Sequence, residues 1–194
     1  MLRCVKTPTM ANDPEYALID RILAGETNLY SELVDRYKRY VFTIALKVVI
    51  TRPEAEEAAQ DVFIKAFQGL KRFNRQSKFS TWIYRIAFNT AISYKRKQRF
   101  QYQSIENSNI GGSEKHDESL EKTDRHKYLN AAMSRLTAAD RIALTLFYLD
   151  ELSLEEIAAV TGMQANTVKV RIHRARLRVA TELKTILNEE ALTL

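Results

Sequence analysis

Between Arg75 and Gln103 the chain carries seven lysines and arginines (Arg75, Lys78, Arg85, Lys95, Arg96, Lys97 and Arg99) and no aspartate or glutamate. Charge of one sign repels itself unless a polyanion meets it, and nucleic acid is the first candidate. Phe79, Trp82, Tyr84 and Phe88 lie among these bases, and rings beside cations stack on unpaired bases at about 1–3 kcal/mol each. The chemistry on offer is a grip on single-stranded or opened DNA. The plain alternative is that Trp82 and at least half of the rings are core.

A second basic stretch starts near Asn166, where Lys169, Arg171, Arg174, Arg176 and Arg178 come with no acid before Glu182. A solvated helix face normally alternates bases with acids, and this one does not. Thr167, Lys169, Val170, His173 and Arg174 stand nearest its start and suit a major groove, where Lys or Arg reads guanine and His or Val touches a thymine methyl. Arg176 and Arg178 suit phosphates. His173 lacks neighbouring ligands for a metal, and no cofactor is expected.

Glu54, Glu56, Glu57 and Asp61 precede the first base at Lys65. Carboxylates in the first turn of a helix favour the positive end of its dipole by about 0.3–1 kcal/mol each, which accounts for Glu54 and Glu56. Gln60 and Asp61 lie beyond that turn, which leaves a basic protein partner open for them.

These residues need elements to hold them. Ser80 or Thr81 suits the cap of a helix on which Ile83, Ile86, Ala87, Thr90, Ala91 and Tyr94 form one stripe, with Arg85, Asn89, Ile92 and Arg96 on another face. Before it, Asn12 to Pro14 opens a helix that ends at Ala24-Gly25. A longer helix runs from about residue 27 to 50 on a stripe of Leu29, Leu33, Val34, Tyr37, Val41, Ile44, Ala45 and Val48. Thr51-Arg52-Pro53 opens a third, whose stripe continues through Phe63, Phe67, Leu70 and Phe73 before a polar loop from Asn74 to Lys78.

Further on, Thr137 with Asp140 and Ser153 with Glu156 have capping-box spacing. A turn at Thr161-Gly162-Met163 leads into the basic helix, whose buried stripe is Val168, Ile172, Ala175, Val179 and Leu183. A short capped helix, a glycine turn and a basic helix make a helix-turn-helix, with Ala158 small enough for close approach and Gly162 tolerant of positive φ.

With five Gly and three Pro in 194 residues and little alternation, the expected class is all-α, as two small helical domains. The domains are expected over 13–100 and 125–194, with 1–12 a flexible N-terminus. Residues 101–124 hold Gly111-Gly112 and six acids against two bases, a flexible acidic linker too long for a tight turn. A single cysteine, Cys4, excludes an internal disulfide framework, and no run approaches the roughly 18 apolar residues of a membrane span. A cytoplasmic protein without membrane insertion is expected.

The stretch AEEAAQDVFIKAFQGLKRFNRQSKFSTWIYRIAFNTAISYKRKQ resembles region two of bacterial sigma factors of the extracytoplasmic-function group, and LTAADRIALTLFYLDELSLEEIAAVTGMQANTVKVRIHRARLRV resembles their region four. With the N-terminal helices the resemblance covers nearly all of 13–187. It implies a protein that binds core RNA polymerase and directs it to promoters. Glu57, Gln60, Asp61 and Phe63 would meet the clamp helices of the β′ subunit. Arg75, Lys78, Phe79, Trp82, Arg85, Asn89 and Arg96 would open the −10 element and capture a flipped base, whose unstacking costs a few kcal/mol. Asn89 carries donor and acceptor on one amide, as a base edge requires.

By the same resemblance, Thr167, Lys169, Val170, Arg171, His173, Arg174, Arg176 and Arg178 would read the −35 element as duplex. The apolar back of that domain would sit on the polymerase β flap. Relatives are commonly held by an anti-sigma protein, which joins polymerase and promoter DNA among the implied partners. The competing reading is a free-standing helix-turn-helix regulator with a sensing or partner-binding first domain, which leaves residues 79–102 unexplained. An enzyme on nucleic acid normally needs clustered carboxylates for metal ions, and the acids here fall at a helix start and in the linker.

Overall fold

The computed structural model describes residues 14–49, 51–104 and 123–191, with side-chain surroundings set out for these except 98–104, 123–126 and 189–191. Every regular element among them is helical. The N-terminus and nearly all of the linker lie outside the described residues. No helix described is long and apolar enough to cross a membrane.

Helix α1 (Pro14–Leu23) ends where Gly25 takes φ 119°, a conformation that costs glycine little. A 3-10 turn over Thr27–Leu29 precedes α2 (Tyr30–Val48), so the predicted single helix begins with a tighter turn. Its buried stripe is Leu33, Tyr37, Val41, Ile44, Ala45 and Val48, as expected, with Leu29 and Val34 at the margin. Helix α3 (Arg52–Gly69) opens with the Thr51 backbone N–H donating to the Glu54 carboxylate at 3.3 Å.

The buried face of α3 corrects the expected stripe. Ala55, Ala58, Ala59, Val62 and Ala66 face inward, while Phe63 is half-buried and Phe67 is exposed. Small residues let α2 and α4 (Phe79–Ser104) approach closely, leaving no room there for rings. Leu70 and Phe73 are buried, as expected.

Helix α4 begins at Phe79, with the Trp82 N–H donating to the Lys78 carbonyl at 3.1 Å, so neither Ser80 nor Thr81 caps it. Thr81 is itself buried, its hydroxyl without a partner among the described residues. The helix extends past the expected boundary at residue 100. Its inward rings meet those of neighbouring elements: Phe79 lies 5.4 Å from Tyr37, 5.5 Å from Phe73 and 5.4 Å from Trp82, centroid to centroid. Edge and tilted contacts of this kind add about 0.5–1.5 kcal/mol per pair to the burial itself.

The second module comprises α5 (Thr123–Ser134), α6 (Ala138–Tyr148), α7 (Leu154–Thr161) and α8 (Ala165–Ala191). The Ser153–Glu156 capping box forms at 2.9 and 3.1 Å. Gly162 takes φ 73° at the end of α7, its N–H on the Ala158 carbonyl at 2.8 Å, as the turn demands. Val168, Ile172 and Ala175 anchor α8 in the core.

The two modules pack against each other, α7 on α4 and α6 on α2. Arg141 fastens them: its Nε donates to the Lys47 carbonyl at 2.9 Å, and its Nη1 to the carbonyls of Leu136 at 2.8 Å and Ser134 at 3.2 Å. One guanidinium thus satisfies carbonyls that the ends of α2 and α5 leave over. Lys78 and Glu156 form an ion pair across the same junction at 2.8 Å.

Asp150 lies in a cleft of this junction beside Arg36, Tyr40 and Tyr84, and burial pushes its carboxyl up to about 6. An unfolded aspartate titrates near pH 3.9, so the folded chain holds this proton more tightly. The associated stability is full below about pH 4 and is lost as pH rises through about 6. Asp150→Asn is expected to melt like the parent at pH 4 and at a higher temperature at pH 7. Thermal denaturation across this range checks it, and a difference that does not grow with pH counts against the assignment.

Candidate nucleic-acid interfaces

The outward side of α4 carries Arg85, Asn89 and Arg96, all exposed, with Ile92 half-buried between them. Spacings of four and seven residues set them along one face. The Ser93 hydroxyl donates to the Asn89 carbonyl at 2.9 Å, and the Asn89 side-chain amide has no hydrogen bond among the described residues. A donor and an acceptor therefore point into solvent from a rigid helix. Trp82 is half-buried beside them, one edge over Gly69, where an added Cβ would meet it at 3.5 Å.

Three of the expected −10 residues stand differently. Phe79 has 0% exposure and is enclosed by Tyr37, Phe73 and Trp82, which corrects its assignment to a DNA surface: its ring is core. Arg75 has φ 59°, pairs with Asp20 and holds its guanidinium 5.6 Å over the Tyr16 ring. Lys78 is engaged with Glu156, whose carboxyl, although part-burial pushes it up, is held below the ordinary range by Lys78 and the Ser153 N–H.

On α3, Glu57 and Gln60 are exposed, and Asp61 and Phe63 are half-buried. Asp61 accepts from the Tyr94 hydroxyl at 2.9 Å and lies 3.8 Å from Lys65 Nζ. Burial, and then the Asp61 carboxylate, push the Tyr94 hydroxyl pKa up. The Phe63 carbonyl accepts from the Tyr30 hydroxyl at 2.8 Å. Beside them Ile64 and Phe67 are 54% and 42% exposed, an apolar strip that sequence reasoning missed. The signal was the alanine series at 55, 58, 59 and 66, which fills the buried face.

On α8, Thr167, Lys169, Val170, His173, Arg174 and Arg176 are exposed. Arg171 and Arg178 turn instead toward α6, where Asp140 accepts Arg171 Nη1 on Oδ1 at 2.8 Å and Arg178 Nη1 on Oδ2 at 3.1 Å. The expected phosphate contact of Arg178 thus meets a carboxylate of its own chain. These groups border a cleft of about 470 Å³ with Thr137, Thr167 and Arg174. Asp140 was foreseen only as a capping residue, because no local pattern links it to a helix that starts at residue 165.

A family model described as Sigma-70 region 2 matches residues 33–101, and one described as Sigma-70, region 4 matches 126–179. The chain is 32% identical over 184 residues to the ECF RNA polymerase sigma-E factor of Escherichia coli K12, covering 89% of this chain and 96% of that one. It is 28% identical over 181 residues to the ECF RNA polymerase sigma factor SigW of Bacillus subtilis, covering 87% and 96%. Among solved structures it resembles the sigma factor RpoE of Bartonella quintana, crystallised with the anti-sigma factor NepR, at TM-score 0.67 and 27% identity over 80% of this chain and 96% of that one. CnrH, in complex with the cytosolic domain of CnrY, shares the fold at TM-score 0.65 and 22% identity over 89% and 99%. An all-helical pair of modules, each with a basic face, and these matches agree: the chain belongs to the extracytoplasmic-function RNA polymerase sigma factors and directs transcription initiation.

Proposed function

We propose that α4 captures the −10 element, that the first half of α8 reads the −35 element, and that α3 and the apolar back of the second module hold core polymerase. The observation that carries this reading is the outward Arg85 and Asn89 pair on a helix whose other side is core. Asn89 takes the edge of a flipped base beside Trp82, and Arg85 and Arg96 steady the strand. Arg75 and Lys78 join after leaving Asp20 and Glu156.

Lys169, Val170, His173 and Arg174 reach base edges in the major groove, and Thr167 and Arg176 reach phosphates. Glu57, Gln60, Asp61 and Phe63 meet the β′ clamp helices. The β flap takes an apolar groove of about 410 Å³ lined by Leu129, Met133, Leu144, Tyr148 and Leu149, and an anti-sigma protein competes for the chain. The chain acts in the cytoplasm and performs no catalysis of its own.

Core polymerase with this chain is expected to start transcripts at defined sites. Equal, promoter-independent initiation with and without it would sink the reading. Arg174→Glu is expected to weaken holoenzyme binding to −35 duplex by about tenfold or more, since one good base contact gives about 1–3 kcal/mol of discrimination. Footprinting at the −35 element checks it. Asp61→Lys is expected to lose core binding in a pull-down, whereas Tyr94→Phe, which removes only the internal bond, retains it. Equal losses would make Asp61 a structural residue.

A further inference from the structure

Asp140 departs from what its position predicts. It sits at the third residue of α6, where its N–H donates to the Thr137 hydroxyl at 3.2 Å. In a capping box its carboxylate would return to the Thr137 backbone; here both oxygens face α8 and each holds one arginine, Arg171 at 2.8 Å and Arg178 at 3.1 Å. The carboxylate is 6% exposed, Arg171 31% and Arg178 60%. Two of the five cations that give α8 its basic character are therefore bound within the chain.

That arrangement resists exchange. Moving either arginine onto a DNA phosphate would leave a buried carboxylate with less compensating charge, and an exposed phosphate contact returns little by comparison. Phosphate contacts also fix a protein on DNA without reading sequence, and each steepens the salt dependence of binding by about 0.9 in log–log slope.

We propose that Asp140 is a positioning residue that sets −35 specificity: it withholds Arg171 and Arg178 from the DNA backbone, so that selection rests on the base edges reached from Lys169 to Arg174. This inference rests on the −35 reading of α8 given above. The bland counterpart is a carboxylate that merely ties α6 to α8.

The test uses holoenzyme, assembled from core polymerase and the full chain, on two duplexes: a promoter fragment taken from a mapped transcript start, and the same fragment with its −35 segment scrambled. Affinities are measured between about 50 and 200 mM salt. Asp140→Asn is expected to bind the scrambled duplex about tenfold more tightly, to steepen the slope by about 1–2, and to shrink the preference for the native fragment. In that background Arg178→Gln takes back about 0.9 of the slope. A purely structural Asp140 would weaken both duplexes alike without steepening either, which overturns the proposal.

A second measurement leaves Asp140 untouched and so does not depend on how well Asp140→Asn folds. In the parent chain Arg178→Gln is expected to leave the slope unchanged, while Arg176→Gln, at a phosphate contact, lowers it by about 0.9. A slope lowered equally by Arg178→Gln overturns the proposal, because that arginine would then be holding a phosphate. A parent holoenzyme with no preference for the native −35 segment overturns the −35 reading itself.

Discussion

Phe79→Ala is expected to lower the stability of the chain by about 3–5 kcal/mol, the usual cost of emptying a large aromatic site in a closed core. Phe79 is fully buried and touches the rings of Tyr37, Phe73 and Trp82, which come from α2, the segment between α3 and the Asn74–Lys78 loop, and the next turn of α4. A cavity there removes the common partner of three rings at once. The site sits at the start of the helix that presents Arg85 and Asn89, so loss of packing also loosens that face. Chemical denaturation with the midpoint and slope both followed checks the size of the effect. Phe79→Leu, which keeps most of the volume, is expected to cost less than half as much and to retain promoter opening. If Phe79→Ala melts like the parent while failing to open DNA, the ring is at the DNA surface after all and the burial argument fails.

That contrast shows what the sequence could and could not disclose. An aromatic among bases reads equally well as a stacking platform or as a core ring, and Phe79 and Trp82, three residues apart, have different fates: full burial and half-burial. The helical stripes of α2 and α8 were legible because one face carries large apolar side chains and the other does not. On α3 the rule inverted: alanines filled the tight face and phenylalanines lay at its edge, so reading size as depth put Phe67 inside. The cap at Thr137 and the capping box at Ser153 were legible because they are local, although the Asp140 carboxylate does not complete the expected box at Thr137. What stayed hidden were pairings across the chain, among them Arg75 with Asp20, Lys78 with Glu156, Arg141 with the Lys47 carbonyl and Asp140 with two arginines. A count of charges locates a basic face, and only the fold says which cations remain available on it.

Asn89→Ala is expected to reduce open-complex formation by about 10- to 100-fold while core binding persists. The range follows from a lost base-edge contact of about 1–3 kcal/mol set against unstacking that costs a few kcal/mol. Asn89 is exposed and its amide has no internal hydrogen bond among the described residues, so the substitution removes nothing from the fold. Alanine also favours a helix, which keeps stability at or above that of the parent. Arg85→Ala, one turn earlier on the same face, is expected to give a smaller loss that shrinks further at high salt, as a backbone contact would. Permanganate reactivity of unpaired thymines in the −10 segment reads opening directly, and a pull-down with core polymerase reads assembly separately. Opening unchanged in Asn89→Ala would remove the base-pocket role from this side of α4. Loss of opening with equal loss of core binding would assign the face to the polymerase rather than to DNA.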